Sequence, residues 1–330
     1  MENSLTKSSF DVILKVASLN NIEKSELKEL LILDEDNRVE TNTIAKIIEY
    51  MIRKSNNSNI PLQIGEEQKL KYMGSLGKYI TYASDMKQVI DIIIKYSKII
   101  HTGISPNFIF TDEEVILELD YKIYDIQNVR YPAEAFFSTY LSIFSSLCNK
   151  KIKINKVEFF HELNSDIKDF LRIFGDKVSF NNSKNKLYFS NDLLQYKLNT
   201  SDTILANIYK YNTFRELVLI DDYLIKSIVL FISNNLIGES PSLEALSKSI
   251  NIPTRTLQHY LKKRNTSYKI LLKVVRFQKA QELLQVGENI DMISFLVGFK
   301  NTPAFYKAFK AEFNQTPSEF YTHNLSSQTK

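Results

Sequence analysis

The chain has 330 residues, 44% hydrophobic and 24% charged, with 42 Lys+Arg against 38 Asp+Glu for a formal net charge of +4. That length accommodates two domains with separate cores, and the balance is that of an ordinary globular protein. The lone cysteine, Cys148, excludes an internal disulfide. No apolar run approaches the ~18 residues of a membrane span. The start Met1-Glu2-Asn3-Ser4 lacks a basic segment leading into an apolar one, so no secretory signal is expected. A reducing, cytoplasmic setting is expected.

In the first sixty residues Phe10, Ile13, Leu14 and Ala17 share one helical face, and so do Ile44, Ile47, Ile48 and Met51. Ser55-Asn56-Asn57-Ser58-Asn59 reads as a polar loop ended by Pro61. Ser84 can cap a helix whose apolar face is Val89, Ile90, Ile93 and Ile94. Two extended segments follow, 107–110 and 115–121. The second sets Val115, Leu117, Leu119 and Tyr121 against Glu118 and Asp120, and Thr111-Asp112-Glu113-Glu114 joins the two as a hairpin. Pro132 suits the first turn of a helix running to about Cys148. Its stripe of Phe136, Phe137, Tyr140, Leu141 and Phe144 is most simply core, with a ligand or cofactor wall as the alternative. A strand over 154–161 and a helix over 166–174 closed by Gly175 come next. A second hairpin is predicted, pairing 177–180 with 186–189 around Asn181-Asn182-Ser183. Ser190 starts another helical turn, and 202–210 look helical.

The charge is unevenly placed. Residues 223–330 hold 14 Lys+Arg and 7 Asp+Glu, a net +7 that leaves −3 for residues 1–222. A basic C-terminal third is the electrostatic footprint of a nucleic-acid partner. In the same third one apolar pattern occurs twice, as Leu246, Ile250, Ile252, Leu257, Leu261 and as Ile293, Val297, Phe299, Phe305, Phe309. Steps of four keep these residues on one helical face, and the single step of two breaks the helix. Each copy therefore reads as a helix-turn-helix. Pro241 marks the turn into the first copy, with Ser242 as a cap; Asn289 with Asp291 opens the second. Thr302-Pro303 is predicted to cap and begin its second helix.

On the outer face of the second helix of each copy lie Arg255, Gln258 and His259, then Thr302, Tyr306 and Lys307. Arg, Gln and Lys reach guanine and adenine edges in a major groove, so these six are the candidate base contacts. Lys262, Lys263, Asn301 and Lys310 are the candidate phosphate contacts. A helix over about 266–285 joins the copies; at 1.5 Å per residue it spans roughly 28 Å, close to the ~34 Å of one DNA turn.

These residues resemble the AraC/XylS family of bacterial transcription regulators. The resemblance is carried by Pro-Ser-Leu-Glu-Ala-Leu-Ser at 241–247, Arg-Thr-Leu-Gln-His-Tyr-Leu at 255–261, Gly-Phe-Lys-Asn-Thr-Pro-Ala-Phe-Tyr-Lys-Ala-Phe-Lys at 298–310 and Phe-Asn-Gln-Thr-Pro-Ser-Glu-Phe at 313–320. The chain departs from the family pattern at His259, where Arg is usual, at Asn314 for Gly, at Ser294 for Ala and at Tyr321 for Arg. Asn is the residue next to Gly in preference at a left-handed cap. Gly65-Glu66, Leu76-Gly77-Lys78-Tyr79 and Phe174-Gly175-Asp176-Lys177-Val178-Ser179-Phe180 resemble the arabinose-binding-like N-terminal region of one branch of that family. The resemblance implies small-molecule sensing, without making arabinose the ligand.

The four histidines, His101, His161, His259 and His323, show no metal-ligand spacing, and there is no phosphate loop or nucleophile elbow. No catalytic residue, metal or cofactor is assigned. The expected fold is α+β: a mixed α/β N-terminal sensor domain over 1–220, an all-α DNA-binding domain over 221–325 with two helix-turn-helix units joined by a helix, and a frayed tail over 326–330. The expected function is sequence-specific transcription regulation, with activation favoured. Double-stranded DNA is the expected partner, with RNA polymerase if the protein activates, and with a small-molecule effector and a homodimer as further expectations. The alternatives are an enzyme or metabolite-binding module with a DNA-binding tail, and a regulator that answers to a protein partner.

Overall fold

The structure, a computed structural model, describes residues 4–33, 38–121, 130–163, 165–220, 223–264 and 266–328. The elements run β1 (Ser4–Leu5), α1 (Lys7–Leu19), α2 (Lys24–Glu29), β2 (Val39–Glu40), α3 (Thr41–Ser55), α4 (Ile60–Glu67), α5 (Gly74–Thr81) and α6 (Met86–Tyr96). Then come β3 (Ile104–Phe110), β4 (Glu114–Tyr121), α7 (Arg130–Leu147), β5 (Ile154–Glu158), α8 (Ile167–Phe174), β6 (Val178–Ser179), β7 (Lys186–Ser190) and α9 (Thr203–Ile220). The C-terminal part is helical throughout: α10 (Tyr223–Asn234), α11 (Leu243–Ile250), α12 (Thr254–Lys263), α13 (Tyr268–Gln285), α14 (Ile290–Leu296), α15 (Thr302–Phe313) and α16 (Pro317–Gln328). Contacts divide the chain into two units, Met1–Tyr209 and Lys210–Lys330. The border expected near 220 lies further along, beside Asp221 and Asp222, which are outside the described residues.

In the first unit the two amphipathic faces read from sequence meet. Phe10, Ile13 and Ala17 of α1 share a core with Ile47, Ile48 and Met51 of α3, joined by Leu27 and Ile60. Asn56 ends α3 in the left-handed conformation, and Pro61 falls in the first turn of α4. Gly65 lets α4 lie directly on α7: a Cβ there would sit 2.4 Å from the Ala135 carbonyl oxygen. The cap of α6 is Asp85, not Ser84. Its carboxylate accepts hydrogen bonds from the Gln88 N–H at 2.9 Å and from the Ser84 hydroxyl at 3.0 Å. A charged acceptor outcompetes a hydroxyl at the positive end of a helix. Val89, Ile90 and Ile93 are buried as expected, whereas Ile94 turns away from the core and is 46% exposed.

The main sheet has the order β3-β4-β7-β5-β6. The first hairpin stands as read: β3 pairs antiparallel with β4, with Phe110 opposite Val115. Val115, Leu117 and Leu119 are buried. The second hairpin is a correction. β6 pairs with β5 in parallel, Val157 opposite Val178, while β7 sits between β4 and β5. The turn after β6 spends its donors on the far end of β5 instead of closing on itself: Asn181 N–H reaches the His161 carbonyl and Asn182 N–H the Phe159 carbonyl. Phe180 leaves the strand to stack on Phe159 at 5.6 Å. Leu187 and Phe189, fully buried, gain more from a central position than a hairpin edge offers. Ser190 caps a short 3-10 turn over Asn191–Gln195, and Asp166 and Gly175 bound α8, as read.

The second unit has two linked cores. Ile228, Ile232 and Leu236 of the α10 segment pack with Leu246, Leu257 and Leu261. A phenylalanine cluster, Phe277, Phe305, Phe309, Phe313 and Phe320, fills the other, and Tyr211 joins it at 5.4 Å from Phe313. The tail expected to fray from about Leu325 continues as helix to Gln328; Thr329 and Lys330 lie outside the described residues.

Candidate functional site

α11 starts where the Ser242 hydroxyl accepts the Ala245 N–H at 3.1 Å. It stops at Asn251, φ 54, and the turn is tied by the Ser247 hydroxyl donating to the Ile252 carbonyl at 2.7 Å. α12 then points Leu257 and Leu261 inward. Arg255, Gln258, His259, Lys262 and Lys263 are all exposed. Arg264 closes the row with its guanidinium 3.7 Å from the Tyr260 ring.

The second copy repeats the arrangement with a different turn. Asn289 caps α14 by accepting the Asp291 and Met292 N–H groups. Gly298, φ 72, makes the turn; a Cβ there would lie 2.5 Å from the Leu236 carbonyl oxygen. The cap of α15 is Asn301, whose side chain accepts the Ala304 N–H at 2.9 Å. This corrects the assignment of Thr302 as cap. The Thr302 hydroxyl instead donates to the Asp291 carboxylate at 2.5 Å. Tyr306 is half-buried with its hydroxyl 3.1 Å from that of Ser318. Lys307 and Lys310 are exposed. The residue before the cap, Lys300, is exposed too; it lies outside α15, so helical periodicity does not mark it.

The two copies are joined by α13, 18 residues long and capped by Ser267. At 1.5 Å per residue it is about 27 Å long. Arg276 on this helix was not singled out by the sequence reading. It donates to the Val297 carbonyl at 2.9 Å and to the Gly298 carbonyl, with its guanidinium 4.1 Å from the Phe299 ring. Arg276 thus holds the turn of the second copy from the connecting helix.

A cavity of about 500 Å³ lies in the first unit among α1, α3, α6 and α7. It divides the α7 stripe: Phe136 and Tyr140 line it, whereas Phe137 and Phe144 are fully buried in the core. The core reading therefore holds for Phe137 and Phe144, while Phe136 and Tyr140 face the cavity. Elsewhere in this unit Glu134, wholly buried, accepts from Arg130 Nε at 2.6 Å and lies 3.5 Å from His161 Nε2. Burial pushes the Glu134 carboxyl up to about 7 against the opposing pull of Arg130. His161 is a packed histidine between Phe159 and Phe180. Among the described residues no group of His, Cys, Asp and Glu could hold a metal, and no helix is long and apolar enough to cross a membrane.

A two-domain chain with a ligand-sized cavity in one unit and a doubled helix-turn-helix in the other defines a ligand-binding DNA-binding regulator. Residues 20–198 match the model of the arabinose-binding domain of AraC transcription regulators, N-terminal, and residues 246–323 match a helix-turn-helix domain. The chain belongs to the AraC family of transcription regulators. It is 31% identical over 103 residues to histidine kinase P4 of Formosa agariphila, covering 31% of this chain and 8% of that protein. It is 32% identical over 124 residues to the transcriptional activator PerA of Escherichia coli, covering 36% of this chain and 43% of that one. The matches thus span less than half the length of these relatives. The crystal structure of transcriptional regulator CdpR from Pseudomonas aeruginosa aligns over 97% of this chain and 100% of that one, at a TM-score of 0.50 and 17% identity, a likeness of fold alone.

Proposed function

We propose that this protein is a cytoplasmic transcription activator that reads an operator with α12 and α15 in successive major grooves. The observation that carries this reading is the pair of solvent-facing helices joined by one 18-residue helix. Arg255, Gln258, His259 and Lys307 are the principal base contacts, and Tyr306 and Thr302 contribute from positions partly engaged within the protein. Lys262, Lys263, Asn301 and Lys310, with Lys300 beside them, contact phosphates and set the salt dependence. The similarity to an activator supports activation, with RNA polymerase as the partner. The cavity supports a small-molecule effector acting through the N-terminal domain, and a homodimer would double the operator.

Selection of bound sequences from a random pool, followed by hydroxyl-radical footprinting, tests this reading. Two protected patches about one helical turn apart on one DNA face are expected for each protomer. Protection of a single patch would remove the two-groove arrangement. A metabolite-binding module with a DNA-binding tail would show no ligand effect on promoter output.

A further inference from the structure

The cavity lining is chemically narrower than the words small molecule imply. Its walls are mostly apolar side chains such as Ile13, Leu76 and Phe136. Five buried side chains with polar atoms line the same space: Ser9 at 5% exposure, its hydroxyl already accepting from Thr6, Gln68 at 8%, His101 at 6%, Tyr131 at 8% and Tyr140 at 7%. His101 spends Nδ1 on the Gly103 and Ile104 N–H groups, at 3.0 and 3.1 Å. The neutral ring therefore carries its proton on Nε2, as a donor. Burial pushes this histidine down to about 4, and the charge of Arg38 works in the same direction. The Tyr140 hydroxyl has no hydrogen bond among the described residues, and burial keeps it protonated by raising its pKa. The Thr41 hydroxyl is buried and unpartnered as well. The charged lining residues, Lys46 and Glu49, are exposed and belong to the rim.

The inner part of the cavity thus offers neutral hydrogen-bonding groups on apolar walls, with no buried charge among the described residues that line it. We propose that it takes an uncharged molecule with an apolar body and one oxygen-bearing end, a ketone, ester or alcohol, held by Gln68, His101 and Tyr140. The inference rests on the reading of the N-terminal domain as an effector site. The cavity size falls within the roughly 300–1,000 Å³ of small-molecule sites. A free sugar fits poorly, because its hydroxyls surround the whole molecule while the walls are mostly apolar, and each one left unpaired weakens binding about fivefold. A carboxylate or a zwitterion would bring its charge among neutral groups and lose its hydration without compensation.

The test uses the full-length protein and N-phenylnaphthylamine, an uncharged fluorescent probe, competed with methyl nonyl ketone, sodium decanoate, L-arabinose and L-phenylalanine. The probe should bind, and the ketone should displace it and raise Tm. Decanoate should compete about tenfold less well, and the sugar and the amino acid not at all. Tyr140→Phe combined with Gln68→Leu should hold probe affinity within about twofold while weakening the ketone about tenfold. Thr139→Trp, which fills the space, should abolish both; a folded Thr139→Trp that still binds would place the ligands elsewhere and overturn the proposal. So would a double variant that holds the ketone as tightly as the wild type. If decanoate, arabinose or phenylalanine raises Tm and the ketone does not, the ligand class is wrong and the effector-site reading stands. If neither the probe nor any competitor binds, both fall.

Discussion

The Thr302 hydroxyl donates to the carboxylate of Asp291, and so the first residue of α15 is fastened to the first turn of α14. The bond fixes the angle between the two helices of the second copy at their N-terminal ends. It also engages a hydroxyl that sequence alone placed at the DNA. Thr302→Val should cost about 1 kcal/mol of stability, the usual worth of one such bond. Under the proposed reading it should shift base preference less than Lys307→Ala does. Urea denaturation and operator selection on the two variants check both statements.

The exposed faces of α12 and α15 give a sharper test. Arg255→Ala and Lys307→Ala should each lose about 1–3 kcal/mol of operator affinity and relax the preference at one or two base pairs. Lys262→Ala and Lys310→Ala should weaken all sequences alike and lower the salt slope by about one unit. An Arg255→Ala protein with unchanged affinity and preference would remove α12 from the groove.

Gly298 and Asn314 both hold positive φ, at 72 and 59 degrees, but their surroundings differ. A Cβ at Gly298 meets the Leu236 carbonyl oxygen at 2.5 Å. Asn314 is exposed at the end of α15. Gly298→Ala should destabilise by about 2 kcal/mol or more, through conformational strain and the clash. Asn314→Gly should change stability by less than about 1 kcal/mol. Thermal melts of the two variants compare them directly.

Two buried groups set opposite pH limits. His101 is held down to about 4, below its ordinary value of 6.5, so the folded state favours the neutral ring. Its contribution is complete above about 6.5 and is lost as pH falls towards 4. Glu134 is held up to about 7, above its ordinary 4.5, so its contribution is complete below 4.5 and is lost as pH rises through 7. His101→Gln should flatten the acid limb of a stability-versus-pH curve, and Glu134→Gln the limb between 4.5 and 7. Unchanged limbs in either variant would assign the titration elsewhere.

The placement of Tyr211 bears on where the DNA-binding domain can be cut. It is buried against Phe277 and Phe313. A fragment beginning at Asp202 should fold cooperatively and bind DNA. One beginning at Tyr223 should be at least about 3 kcal/mol less stable, as for the loss of a buried aromatic. Equal melting temperatures would show that α9 contributes nothing to the second unit.

The doubled helix-turn-helix was legible because its signal is local: burial with a step of four, broken by a step of two, needs no knowledge of distant residues. The α1 and α3 faces and the first hairpin were legible for the same reason. Residues 177–189 were not, because the partner that separates their two strands is β5, more than twenty residues earlier, and its claim on Asn181 and Asn182 leaves no mark in the alternation. The cap misreadings at Ser84 and Thr302 have a common cause: in each case an Asp or Asn one position away offered a carboxylate or amide oxygen in place of a hydroxyl. The cavity escaped because its lining is drawn from Leu5 to Ile143. Periodicity shows that Phe136 and Phe137 both point away from water; it does not show that one of them faces a space.

The length of α13 has a consequence for how such a regulator changes over time. A helix is a screw, and one residue inserted into α13 would advance the second copy by about 1.5 Å while swinging it by about 100 degrees. Seven added residues bring the angle back to within about 20 degrees but add about 10 Å, roughly three base pairs. Single side chains can follow single-letter drift in an operator one substitution at a time. An insertion or deletion between the two words of that operator has no such remedy, because no substitution on α12 or α15 alters the pitch of the helix between them. Under the two-groove reading, operators of this protein should therefore drift in their letters while keeping their spacing.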